Sequence, residues 1–295
     1  MTDELDRVIQ DFGRATAAAQ KSPAFTPRVK QVGRIVSVGD GVAYVEGLRG
    51  VAADELVVFP NDLMAIASSI KLDRVGLILL GDATTLNFGA PAKRTQRVVD
   101  VPVGDAYRGR IVDALGRPLD GKGPVRAVRR EPIEQPAPAI IDRAPVSTPL
   151  QTGIKSVDAT IPIGRGQREL ILGDRQTGKT TIALDAILNQ KDTDVVSIYC
   201  AIGQRASAVA RVIETLRRHD ALKRTIVMVA SGNDAPGLQF IAPYAATTIG
   251  EFFMRRGQDA LIVFDDLQHR GRLFLLPGNS GTVVFQCIAK ILVNR

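Results

Sequence analysis

The stretch Gly173-Asp174-Arg175-Gln176-Thr177-Gly178-Lys179-Thr180-Thr181 places two glycines with four residues between them, then a lysine and two hydroxyl side chains. That spacing fits a phosphate-binding loop. Backbone N–H groups of residues 175 to 181 can point inward at the β- and γ-phosphates of a nucleotide, Gly178 lets the backbone approach closely, and Lys179 meets the negative charge. Thr180 is placed to ligate magnesium, and Thr181 extends the hydroxyl pair. Such a loop must lie between a strand and a helix. Leu170-Ile171-Leu172 reads as the strand and Thr180 to Asn189 as the helix.

A magnesium nucleotide site also needs an acidic residue at the end of a neighbouring strand. The apolar run Leu261 to Phe264 followed by Asp265 offers one. Taken alone, a strand ending in a turn aspartate has the same pattern. Downstream of the loop, Asp265 becomes the magnesium partner, reaching the ion through water. Hydrolysis needs one group more, a carboxylate or equivalent that polarises the attacking water. At the end of the strand after the loop helix the chain carries Gln204 and then Arg205. An amide takes no proton from water at neutral pH, although some nucleotide hydrolases do orient water with glutamine. A site lined by Gln204 is expected to hold a nucleotide and be poor at cleaving it.

The elements around these residues fall into blocks. Leu5, Val8, Ile9 and Phe12 follow helical spacing and predict a short amphipathic helix over residues 3 to about 19, packed on its own protein or on a partner. From Arg28 short strand-like runs are broken by Gly and Asp. The clearest is the hairpin SVGDGVAYVEG, with Gly39-Asp40-Gly41 at its turn. Regular short strands to about residue 95 predict a small β-barrel or sandwich. Pro132, Pro136, Pro138, Pro145 and Pro149 exclude a long helix or a central strand and mark an extended connection. Beyond it, apolar strands alternate with helices, the signature of a parallel sheet covered on both faces.

Composition narrows the class. The 295 residues are 45 % hydrophobic and 23 % charged, a globular balance for one large domain or two ordinary ones. The net charge of +7 is spread along the chain and aromatics are only 5 %, so a solvated basic surface, with no nucleic-acid partner, is the expectation. Cys200 sits in an apolar run and Cys287 lies far away, giving neither metal spacing nor a disulfide framework and predicting a reducing, cytoplasmic compartment. The N-terminus lacks the apolar core of a secretory signal, and runs such as Val75 to Leu80 are too short to span a bilayer. Membrane association would then come only through partners.

The segments APVSTPLQTGIKSVDATIPIGRGQRELILGDRQTGKTTIALDAILNQ, GRIVDALGRPLDGKGP, YCAIGQRAS and ALIVFDD closely resemble the alpha subunit of F-type ATP synthases, and the likeness runs from about Gly33 to Leu267. Catalytic beta subunits have a different phosphate loop and a glutamate where Gln204 stands, so the resemblance favours alpha. It implies an α/β chain with a small N-terminal β-barrel and a P-loop (RecA-like) nucleotide-binding domain with a mainly parallel sheet, C-terminally incomplete. The blocks are 1–24 (helix and linker), 25–95 (barrel), 96–267 (nucleotide-binding domain) and 268–295 (divergent tail).

The resemblance further implies a regulatory, non-catalytic subunit that binds ATP or ADP with magnesium through Gly173 to Thr181, Gln204 and Asp265. Its partners would be beta subunits in an alternating hexamer, a central stalk gamma subunit, and a peripheral stalk met by the N-terminal helix. The complex would sit peripherally on the cytoplasmic side of the bacterial plasma membrane. ELVVFPNDLMAIASSIKLDRVG departs from the housekeeping subunit and leaves an alternate, sodium-pumping type open beside the proton-coupled one.

After Leu267 the tail matches nothing in the family pattern, which predicts a frameshifted or prematurely ended product over a purposeful short form. The alpha arginine that reaches the neighbouring catalytic site has no counterpart. A sheet ending at Asp265 is expected to expose an unpaired strand edge and to make the chain poorly soluble or partner-dependent. The alternatives are a hexameric RNA-translocating helicase of the termination-factor type, which should carry a catalytic glutamate near position 204 and aromatics on its barrel, or a remnant that binds nothing.

Overall fold

The computed structural model describes residues 32–136, 145–174 and 176–265, together with the backbone of a strand at Ile288–Leu292. The helix expected over residues 3–19 and the loop residue Arg175 lie outside the described residues.

Strands β1 (Val32–Gly39), β2 (Val42–Glu46), β3 (Glu55–Val58), β4 (Met64–Ile70), β5 (Val75–Leu79) and β6 (Pro91–Val98) close into an antiparallel barrel in the order β1-β2-β5-β4-β3-β6. The β1–β2 turn is Asp40-Gly41, both left-handed at φ 51° and 78°. This is the twist that joins two strands tightly, and Gly39 belongs to β1. Six strands leave little room inside. Ala43, Ala65, Ala67 and Ala92 therefore alternate with Ile35, Val45, Val57, Leu77 and Leu79 in a dry core. β6 continues to Val98, past the expected boundary at residue 95.

One charged pair is built into the barrel wall. Glu55, buried at the start of β3, accepts from Arg94 Nε and Nη2 at 3.0 and 2.8 Å and from the backbone N–H groups of Ala52 and Gln96. Burial pushes this carboxyl up, but those donors outweigh it and leave the group below its ordinary value.

Two small antiparallel ribbons follow. β7 (Asp100–Val103) pairs with β9 (Arg129–Pro132), and β10 (Pro149–Leu150) with β11 (Ile163–Gly164). Pro132 and Pro149 occupy strand ends in two-stranded pairs, where a missing N–H is tolerated.

The main sheet combines β8 (Ile111–Asp113), β12 (Arg168–Leu170), β13 (Val196–Ile202), β14 (Thr225–Ala230), β15 (Ala260–Asp265) and β16 (Ile288–Leu292) in the order β12-β16-β15-β13-β14-β8. β8, β14, β13 and β15 run parallel. Every residue of β13 and β15 is buried, as a sheet covered on both faces demands. Helices α1 (Lys155–Thr160), α2 (Lys179–Leu188), α3 (Ala206–Arg218) and α4 (Pro236–Met254) complete the unit. Helices α2 and α3 pack on one face, burying Ala183, Ile187, Val209 and Leu216.

On the other face α4 buries Ile241, Ala245, Ile249 and Phe252 in a core that continues into barrel residues Leu56, Ile66 and Leu80. Gly237, in the first turn of α4, lies so close to β5 that a Cβ there would stand 2.4 Å from the Leu79 carbonyl oxygen.

The expected open edge at Asp265 is not observed. β16 lies between β12 and β15 and pairs antiparallel with both, so the backbone of the divergent tail fills that edge.

Behind β8, Asp120 anchors the loop that returns to the strand. Its carboxylate accepts from Arg110 Nε and Nη2 at 2.6 and 2.9 Å and from the Lys122 N–H. The Arg110 guanidinium holds this carboxyl well below the usual carboxylate range. Its folded-state pKa is lowered, so its stabilisation is present above the unfolded value of about 4 and is lost as pH falls below it. Asp120→Asn is therefore expected to lower stability by about 2 kcal/mol at pH 7. The gap from native should shrink on acidification below pH ~4. Urea denaturation across that range measures both; a gap independent of pH would contradict the assignment.

Candidate functional site

The loop after β12 enters α2 through Gly178 at φ 94°, a left-handed conformation that only glycine adopts without strain. Gln176 is also left-handed, at φ 64°. Gly173 meets the other end of the loop. A Cβ there would lie 2.7 Å from the Thr177 hydroxyl, which itself donates to the Asp174 carbonyl at 2.8 Å. The turn needs glycine at 178 for its left-handed backbone, and a side chain at 173 would displace the Thr177 hydroxyl. Among the described residues no side chain caps the N-terminus of α2. Its first N–H groups have no partner within the helix and carry the positive end of the helix dipole. Lys179 folds over this loop and donates from Nζ to the carbonyl oxygens of Gly173 and Asp174, the latter at 2.8 Å. Asp174, Gln176, Thr177 and Thr181 are exposed around the same turn.

In the first turn of α2, the Thr180 hydroxyl donates to Asp265 Oδ2 at 2.9 Å. Asp265 ends β15 and is 5 % exposed. A buried carboxylate needs donors, and β13 supplies two more. In register, Tyr199 pairs with Val263 and Ala201 with Asp265. The Tyr199 side chain therefore lies on the same face, one diagonal step from the carboxylate. Its hydroxyl donates to Oδ2 at 2.6 Å. Gln204, just past β13, brings Nε2 to 3.5 Å from Oδ1. The amide nitrogen must face the aspartate, because an ionised carboxylate only accepts.

The backbone holds Gln204 in that place. Gly203 is left-handed at φ 68° and its N–H donates to Ala230 at 2.8 Å, while the Gly232 N–H donates to the Gln204 carbonyl at 3.2 Å. A side chain on Gly232 would come within 2.9 Å of the Gly203 carbonyl oxygen. The strand ends of β13, β14 and β15 are thereby drawn together.

Of the residues expected at the site, Thr180 and Gln204 converge on the Asp265 carboxylate, and Gly173, Gly178 and Lys179 shape the loop beside it. Tyr199 was not foreseen. Nothing local marks it in an apolar strand; only the β13–β15 register brings it to Asp265. Cys200, its neighbour, points to the opposite core, where burial pushes its thiol above the ordinary value and leaves no reactive nucleophile.

The chain matches two models of one family. Residues 28–96 match the ATP synthase alpha/beta family beta-barrel domain, and residues 153–271 match the nucleotide-binding domain of that family. Among similar curated proteins, ATP synthase subunit alpha 2 of Nitrosospira multiformis is 59 % identical over 274 residues, covering 92 % of this chain and 53 % of that protein. ATP synthase subunit alpha 1 of Marinomonas sp. is 53 % identical over 274 residues, covering 93 % and 53 %. ATP synthase subunit alpha 2 of Albidiferax ferrireducens is 56 % identical over 275 residues, covering 92 % and 51 %. The chain spans about half the length of the curated relatives it matches. With the barrel, the loop and the sheet in their places, and with both domain models matched in order, the chain belongs to the ATP synthase alpha/beta family.

Proposed function

We propose that this chain acts as a regulatory, non-catalytic, nucleotide-binding alpha subunit of an F-type ATP synthase. The observation that carries the proposal is the convergence of Thr180 and Gln204 on the buried Asp265 beside the uncapped start of α2. An uncapped helix N-terminus with a lysine folded over it suits the phosphates of ATP or ADP. A hydroxyl and a carboxylate 2.9 Å apart suit a hard cation that takes oxygen ligands and keeps several waters. In this reading Gly173, Asp174, Arg175, Gln176, Thr177, Gly178, Lys179, Thr180 and Thr181 surround the phosphates. Thr180 and Asp265 would hold the magnesium ion, Asp265 through water. Magnesium, when bound, supplies charge neutralisation of the phosphates. The chain's own residues place it and keep the nucleotide in register.

Gln204 is the reason the site is read as non-catalytic. Its amide can take no proton from water, and its nitrogen is turned toward Asp265. The group positioned to meet an attacking water is thus engaged in holding the metal carboxylate. The further assignments rest on the resemblance to F-type alpha subunits. They are an alternating ring with beta subunits, a gamma central stalk, contact of the N-terminal helix with a peripheral stalk, and a peripheral position on the cytoplasmic side of the bacterial plasma membrane. No helix of the described residues is long and apolar enough to cross a membrane.

Two experiments address the site. Isothermal calorimetry of the 295-residue chain with magnesium ATP should give micromolar binding, about 8 kcal/mol. Lys179→Ala should abolish it, while heat that is equal in both proteins would place the nucleotide elsewhere. Gln204→Glu would replace a hydrogen-bond donor by a second carboxylate beside Asp265 and should lower stability at pH 7 by about 1–3 kcal/mol. A urea midpoint equal to native would show that residue 204 does not face Asp265.

A further inference from the structure

Tyr199 lies in the middle of β13, between β14 and β15, and is 1 % exposed. If packing were its whole role, a phenyl ring would serve as well. The phenol instead donates to Asp265 Oδ2 at 2.6 Å, shorter than the 2.9 Å contact that Thr180 makes to the same oxygen. Gln204 reaches Oδ1 only at 3.5 Å. The three donors differ in what holds them. Thr180 belongs to the first turn of α2, beside a loop with two left-handed residues, and Gln204 hangs from a left-handed glycine. Tyr199 alone is fixed in a central strand with hydrogen-bonded neighbours on both sides. An aspartate side chain turns about two torsions, and a phenol anchored this way restricts both when it holds one oxygen.

We propose that Tyr199 is a positioning residue for the metal half of the site: its hydroxyl fixes the plane of the Asp265 carboxylate so that Asp265 and the Thr180 hydroxyl bear on the same magnesium ion. The proposal rests on the nucleotide reading above. It predicts that Tyr199 affects the magnesium-dependent part of nucleotide affinity and leaves the metal-free part alone, because the phenol bonds to the carboxylate on the metal side of the site. A residue needed only for packing would weaken both together.

The test is calorimetry of the full chain with ATP, in excess magnesium and in EDTA, on native protein and on Tyr199→Phe, which keeps the ring. The loss of one charge-assisted hydrogen bond should reduce the magnesium enhancement about tenfold, with the EDTA affinity unchanged. In the Asp265→Asn background, Tyr199→Phe should change nothing further, since its effect runs through the carboxylate. This second pair separates the role from any general loosening of the core. Equal enhancement in native and Tyr199→Phe, equal losses with and without magnesium, or an additive loss in the Asp265→Asn background would each overturn the proposal while leaving nucleotide binding intact. A native chain that binds no ATP under either condition would overturn the nucleotide reading itself.

Discussion

A carboxylate shut away from water must be met by donors, and Asp265 is where that demand organises the nucleotide-binding unit. Its position at the end of β15 puts it at the rim of the sheet, and at 5 % exposure it relies mainly on protein donors. The donors come from a helix start, a central strand and a strand exit: Thr180, Tyr199 and Gln204. Each depends on something else being right. Thr180 needs the left-handed Gly178 to start α2 where it does. Tyr199 needs the parallel β13–β15 register. Gln204 needs Gly203 to turn the chain and Gly232 to let the next loop approach. The geometry that could hold a magnesium nucleotide is the same geometry that keeps a buried charge from destabilising the fold.

The rest of the molecule makes this rim rigid. β13 and β15 are buried throughout, with α2 and α3 on one side and α4 on the other, so the strand ends have little freedom to move apart. Helix α4 also ties the sheet to the barrel, because Gly237 admits the Leu79 carbonyl at a distance no side chain would allow. Within the barrel, Glu55 and Arg94 repeat on a smaller scale the rule seen at Asp265. A buried acid is tolerated because a guanidinium and two backbone N–H groups saturate it.

Where the sequence speaks through local chemistry, it was readable. The loop declared itself by glycine spacing and by the lysine and hydroxyls after it, and α2 begins at Lys179, one residue from its expected start. Asp265 was legible as the acid closing an apolar run, and the alternation of strands and helices pointed to a parallel sheet. What escaped is set by pairing between distant segments. The three residues of β8 join the sheet edge through β14 and carry no periodicity long enough to detect. Tyr199 acquires its role only through register with β15. β16 fills an edge that was expected to be open, since antiparallel pairing asks of a strand only that its backbone be extended and its side chains fit, both weak signals in five residues.

The account stands on a site that retains ATP without splitting it, and the chemical state of the retained nucleotide tests this most directly. The chain would be incubated with magnesium ATP and freed of unbound nucleotide by rapid desalting. The bound fraction would then be released in acid and identified by chromatography. Intact ATP at close to one molecule per chain is the predicted result. Recovery of ADP with released phosphate would show that Gln204 does not prevent hydrolysis, and a chain that emerges with no nucleotide would show that the loop and Asp265 serve the fold alone.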